Sequence, residues 1–178
     1  MTESWDWRRN YRVWEANRKV FVYPENWIEP DLRPSSRTLV ELREVVKLAD
    51  TRPSVLFTST TSDVALVAGG AVAADLARNL YRVDLNQVFS KFIGETEKNL
   101  KLVFESAERA RAVLLLDEAD ALFGNADVSD LLKRIEAFEG LAILATNLKR
   151  QEVEPLLRRF AFVIDRPTVE SDGSGRAS

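Results

Sequence analysis

Cysteine and histidine are both missing from the 178 residues. Without cysteine there are no disulfides and no thiolate chemistry, and without histidine the usual general base and metal ligand is gone. Any proton transfer must therefore use carboxylates. No apolar run reaches the roughly 20 residues needed to span a bilayer, and the N-terminus, with Glu3 and Asp6 among aromatics, has no apolar signal region. The expectation is a cytoplasmic protein with no membrane association. Positive charge is not in excess either. The formal net charge is −3, which gives no global attraction to nucleic acid, so no specific nucleic-acid partner is expected.

What is present suits one globular domain: 46% apolar and 30% charged residues, in a chain long enough for a proper core with a short appendage. Residues 1–34 hold all four tryptophans and two of the three tyrosines. Residues 5–20 are expected as a helix with Trp7, Tyr11, Trp14 and Arg18 on one stripe, which reads either as core packing or as a docking surface. Tyr23-Pro24-Glu25-Asn26 reads as a turn, and Pro30 and Pro34 with Ser35-Ser36 read as a hinge. This divides the chain into an aromatic appendage (1–34), a core (35–167) and a disordered tail (168–178).

In the core, strands are expected at 54–58, 81–85, 113–116, 141–145 and 160–164. Helices are expected at 37–49 with Ser36 as cap, at 63–80 with Asp63 as cap, and at 95–111, 131–138 and 153–158. Five strands separated by helices predict an α/β sandwich around a mainly parallel five-stranded sheet. Its centre is Val113-Leu114-Leu115-Leu116-Asp117-Glu118-Ala119-Asp120. An apolar run of this kind is a strand buried on both faces, and residues at the carboxyl end of such a strand face the ligand crevice of a doubly wound sheet. There Asp117 could hold Mg²⁺ through its water shell while Glu118 orients or deprotonates an attacking water.

With these motifs in this order, residues 54–167 resemble the core of the AAA+ ATPases, a branch of the P-loop nucleoside triphosphatases. DEAD-box helicases share Asp117 to Asp120, but they need two tandem domains and a Ser-Ala-Thr motif that this chain lacks. The AAA+ resemblance implies that Asp117 is the magnesium-associated acid of Walker B and Glu118 the catalytic base. It implies that Leu141-Ala142-Ile143-Leu144-Ala145-Thr146-Asn147 is the sensor 1 strand, with Asn147 orienting the lytic water. Arg158 and Arg159, in Leu156-Leu157-Arg158-Arg159-Phe160, match the segment that presents arginine fingers to a neighbouring subunit's ATP. Lys91, Phe92, Ile93 and Gly94 match the substrate-gripping pore loop. ATP and Mg²⁺ are the implied cofactors, and AAA+ subunits the implied partners. Taken singly, each feature has an ordinary reading: a solvated arginine pair, a turn asparagine, a core phenylalanine.

The departure from the family is at the phosphate loop, G-x-x-x-x-G-K-[ST], whose backbone amides, lysine and hydroxyl hold the phosphates and Mg²⁺. Laid on that motif, the first glycine is Ser59, the second Val64, the lysine Ala65 and the hydroxyl residue Leu66, with Ser62 and Asp63 between. Asp63 would set a carboxylate beside the triphosphate. The connection 124–130 is short for the family, and no helical lid is expected after the fifth strand. Asn10 to Pro30 resembles a second family, the neuraminidase-like region of the large A component of insecticidal toxin complexes. Together the two resemblances imply an AAA+ core with a degenerate nucleotide site, acting as a noncatalytic adaptor or assembly partner in a toxin or contractile-injection system. The alternatives are a residual ATP hydrolase completed by a partner subunit, and a decayed or fused reading frame.

Overall fold

The computed structural model describes residues 12–13, 20–24, 31–89, 95–123 and 128–171. Arg12–Val13 (β1) and Val20–Tyr23 (β2) are followed by Leu32–Pro34 (β3) and the helix Ser36–Lys47 (α1). Ser54–Thr58 (β4), Ser62–Asp75 (α2), Leu80–Asp84 (β5), the single turn Leu85–Val88 (α3) and Glu95–Ala110 (α4) come next. The chain continues through Val113–Asp117 (β6), Val128–Ala137 (α5), Ala142–Ala145 (β7), Glu154–Leu157 (α6), Phe162–Asp165 (β8) and Val169–Ser171 (β9).

The main sheet has seven strands in the order β1-β2-β5-β6-β7-β4-β8. The five expected strands are its parallel part, and β1 and β2 add an antiparallel edge. From β4 the chain crosses the sheet one way to reach β5, then returns through β6 and β7 and passes β4 to reach β8. Right-handed crossovers put helices of opposite travel on opposite faces. Accordingly α1 and α2 pack with Val55, Phe57, Leu115 and Ile143, whereas α4 and α5 pack with Leu56, Leu114, Leu116 and Leu144. Every residue of β6 is buried. The reversal of travel at β4 opens the crevice of a doubly wound sheet at the carboxyl ends of β4, β6 and β7.

Several expectations are corrected. The helix expected over 5–20 is not formed at Arg12–Val13 or at Val20, which are strand; its other residues, including Trp7, Tyr11, Trp14 and Arg18, lie outside the described residues. Val20-Phe21-Val22-Tyr23 is β-branched and aromatic throughout, and all four residues pair with Leu80 to Val83 of β5, with Val20 and Tyr23 buried. This stretch is therefore part of the sheet, not of a separate appendage. The expected hinge is tied down as well. Pro34 is buried in β3, which pairs with β9, and Ser35 N–H donates to the Thr168 carbonyl at 2.8 Å while Thr168 N–H donates to Thr38 Oγ1 at 2.8 Å. Residues 169–171, expected in a disordered tail, are thus strand; 172–178 lie outside the described residues. Ser35, not Ser36, caps α1, accepting from Thr38 N–H, and Thr61, not Asp63, caps α2.

Candidate functional site

A cleft of about 240 Å³ opens at the carboxyl ends of β4, β6 and β7, lined by Thr60, Thr61, Ser62, Asp117, Glu118, Asp120, Ala145 and Asn147. Of the residues singled out in the sequence, Asp117, Glu118, Asn147 and Ser62 line this one cleft. It does not bring the expected chemistry together.

Asp117 lies two residues beyond Leu115 along β6 and so shares its face, on the α2 side of the sheet. On the neighbouring strand, Arg82 lies two residues from the position opposite Asp117, a diagonal within reach of a long side chain. Its Nε and Nη2 both donate to Asp117 Oδ2, at 3.0 and 2.8 Å, with the arginine side chain 20% and the carboxylate 4% exposed. Asp117 Oδ1 accepts the Glu118 N–H at 2.8 Å, so both oxygens are engaged. On its other side Arg82 lies over the Phe21 ring at 5.8 Å, a cation–π contact supplied by β2.

Glu118 leaves the strand with φ 60 and ψ 42, a left-handed conformation costing a non-glycine residue on the order of 1 kcal/mol. Its Oε1 accepts from Ser62 Oγ at 2.5 Å, linking the end of β6 to the first turn of α2. Asp117 and Glu118 are thus each satisfied by a separate partner, Arg82 and Ser62. Asp120, on the 3₁₀ turn Ala119–Leu122, accepts the Thr146 hydroxyl at 2.5 Å and the Asn147 N–H at 2.8 Å, tying the ends of β6 and β7 together. Asn147 is therefore held by its backbone, and its exposed side chain stands at the cleft.

The loop between β4 and α2 holds only Ser59, Thr60 and Thr61. In a phosphate loop the amides turn inward to the anion. Here Ser59 N–H, from a residue at φ 52, donates to the Leu148 carbonyl at 2.8 Å, and Thr60 N–H donates to the Thr146 carbonyl at 3.1 Å. At the positions expected for the lysine and the magnesium hydroxyl, Ala65 is fully buried against the sheet and Leu66 packs beside that core. Val64 donates its N–H to the Thr61 cap. Asp63 is exposed on the first turn of α2 and is not among the residues lining the cleft, which corrects its expected place beside a triphosphate.

Arg158 and Arg159 do not reach this cleft. Arg159 Nε bonds Glu136 of α5 at 2.6 Å, and Arg158 is exposed at the end of α6 beside Pro155 and Leu157, with no ion pair among the described residues. Lys91, Phe92, Ile93 and Gly94 lie outside the described residues. Two residues were missed from the sequence: Arg82, whose signal is a charge on a strand between Tyr81 and Val83, and Asp120, which carries no signal apart from the acidic motif itself.

Magnesium nucleotide is the group the fold implies here, and these residues do not fit it. No lysine among the described residues lines the cleft, the Ser59 and Thr60 amides are spent on carbonyls of the segment after β7, and Asp117, the acid the resemblance sets beside the metal, is paired with a guanidinium. Among the described residues, no three carboxylates converge as a metal site. No helix among them is long and apolar enough to cross a membrane.

Comparison with known proteins fits this architecture. The family described as "ATPase family associated with various cellular activities (AAA)" matches residues 67–168, beginning after the β4–α2 loop, and the ABC toxin N-terminal region matches residues 1–43. A Sinorhizobium fredii protein named "Uncharacterized AAA family ATPase y4kL" is 37% identical over 110 residues, covering 53% of this chain and 33% of that protein. Cell division protein C of Sulfolobus acidocaldarius is 28% identical over 170 residues, covering 83% of this chain and 41% of that one. The chain thus spans well under half the length of these curated relatives. The crystal structure of the FIGL-1 AAA domain in complex with ADP superposes with a TM-score of 0.63 at 21% identity, over 83% of this chain and 57% of that chain, which speaks for the fold. With the AAA family matched over more than half its length and that fold around its acidic cleft, the chain belongs to the AAA ATPase family.

Proposed function

We propose that this chain is a noncatalytic AAA-family module, an adaptor or assembly partner for proteins of a toxin or contractile-injection system. One observation carries the reading. The acid that would hold magnesium accepts two hydrogen bonds from Arg82 on a single oxygen, at 4% exposure, and its other oxygen is occupied by a backbone amide. A guanidinium there supplies the positive charge a metal would bring, and it cannot be displaced without leaving a buried ion unpaired, at a cost of several kcal/mol. Support also comes from the β4–α2 loop, whose Ser59 and Thr60 amides are bonded to the segment after β7, and from the family match beginning downstream of that loop. The partner class rests on residues 1–43, which match the ABC toxin N-terminal region and contribute β2 to the sheet.

The test is a titration of the purified chain with Mg·ATP, followed by calorimetry and thermal melting. Neither heat of binding nor stabilisation is expected at about 1 mM, since a ligand stabilises only when its concentration exceeds Kd. A rise in Tm of several degrees specific to ATP overturns the reading. It would favour the second reading, a hydrolase completed by a partner subunit, for which the shared cleft of Asp117, Glu118 and Asn147 and the exposed Arg158 are the support.

A further inference from the structure

A second cleft lies at the opposite end of the sheet, where the loops enter β4, β5, β6 and β7. Strand rise alone separates the two by about 15 Å. It has a volume of about 220 Å³ and is lined by Arg52, Arg78 and Arg111 together with Asp50, Glu139 and Gly140. The three arginines come from three different connections, and Arg52 and Arg111 both stand in the left-handed region, at φ 56 and 52, where glycine ordinarily ends a helix. Ala77, beside Arg78, is left-handed as well.

The charges in the cleft do not cancel. Arg52 Nη1 lies 3.6 Å from Glu139 Oε1, while Glu108, which does not line the cleft, accepts the Glu139 N–H at 3.3 Å. Asp50 is exposed on the 3₁₀ turn before β4. Arg78 and Arg111 have no ion pair among the described residues, and Arg78 is half-buried. Among the residues that line the cleft, three guanidiniums against Asp50 and Glu139 leave a positive balance in a concave site with room for a group several waters in size. Guanidinium forks match the oxygen spacing of phosphoryl groups and bind them in bidentate fashion.

We propose that this cleft binds a phosphoryl group, with Arg78 and Arg111 as its principal ligands and Arg52 completing the contact by shifting away from Glu139. The group could belong to a free phosphorylated molecule or to a phosphorylated side chain of a protein partner. The site is independent of the acidic cleft and needs no metal.

The experiment follows the arginine Nε–H signals of the full chain by NMR during titration, in EDTA, with inorganic pyrophosphate in one arm and a phosphoserine peptide in the other. The expected result is saturable shifts of Arg78 and Arg111, with a Kd on the order of 1 mM or below, while Arg158 stays fixed. Tighter binding of the peptide identifies a protein-borne group, and tighter binding of pyrophosphate a free one. The Arg78→Gln/Arg111→Gln variant should weaken binding at least roughly tenfold. Because these arginines could matter to the fold, its melting curve and the response of the conservative Arg78→Lys/Arg111→Lys variant are measured alongside. The lysine variant should retain partial binding. Shifts that fail to saturate, that include Arg158 equally, or that survive in the folded glutamine variant overturn the proposal.

Discussion

Replacing Arg82 with glutamine should unfold this protein more readily than almost any other single change outside the apolar core. The substitution leaves the Asp117 side chain, 4% exposed, without its guanidinium and with the Glu118 amide as its remaining hydrogen-bond partner among the described residues. Removing one member of a buried ion pair costs about 3 to 5 kcal/mol, and because Arg82 is itself one-fifth exposed, the lower end applies, about 3 kcal/mol. In urea, with a slope of about 2 kcal/mol/M for a domain of this size, the midpoint should fall by about 1.5 M. Asp117→Asn should cost a comparable amount. The double variant Arg82→Met/Asp117→Leu removes both charges and should lie within about 1 kcal/mol of the parent, since apolar replacement of a buried pair is often neutral. The assay is a urea melt of the four proteins as a double-mutant cycle, with a coupling expected above about 2 kcal/mol. Single losses below about 1 kcal/mol that simply add in the double variant would refute the reasoning. They would mean that the guanidinium exchanges freely with water and that Asp117 is available to a metal.

Glu118→Gln keeps an acceptor for the Ser62 hydroxyl and should change stability by no more than about 0.5 kcal/mol, with no ATP retained on gel filtration; co-elution of ATP with this variant would contradict the noncatalytic reading. Gly69→Ala should stabilise the protein by about 0.5 to 1 kcal/mol in a thermal melt, because its Cβ would meet Leu115, Leu80 and Ile143 at ordinary contact distances of 3.5 to 3.8 Å while the helix gains propensity. Burial raises the Tyr81 phenol above its usual value near 10.0, partly offset by Arg109. The unfolded chain therefore loses this proton first, so stability should fall as pH rises through about 10, and Tyr81→Phe should flatten that limb of the stability curve. A 35–178 chain loses β2 and β3, uncovers β5 and forfeits the burial of Val20 and Tyr23; a loss of roughly 4 kcal/mol is expected, and a denaturant midpoint equal to that of the full chain would show that the segment only docks.

The parts of this architecture that could be read from sequence are those specified locally. Val113 to Asp117 declares a central strand because its burial on both faces requires an unbroken apolar run, and its acidic end then marks the crevice. Pairings set at long range were invisible. Val20 to Tyr23 is too short for periodicity to distinguish strand from helix, and its structure comes from the open edge of β5, some sixty residues later. Arg82 could not be understood without that edge. In a five-stranded sheet it would sit on an edge strand facing water, but β2 places Phe21 over it and leaves Asp117 as its counter-charge.

Contacts between segments distant in sequence also explain how acids can stand beside a β4–α2 loop without lysine or glycine. Ser59 and Thr60 satisfy their amides on the carbonyls of Leu148 and Thr146, so no phosphate is needed to complete the loop. Asp117 balances Arg82, Glu118 fastens Ser62, and Asp120 joins β6 to β7, so each carboxylate has a structural task at the carboxyl end of the sheet. The presence of Asp117 and Glu118 is therefore not by itself evidence of hydrolysis in this chain. The same residue types that would serve a metal serve the fold, and the stability cost of Asp117→Asn, measured without nucleotide, is the quantity that separates the two roles.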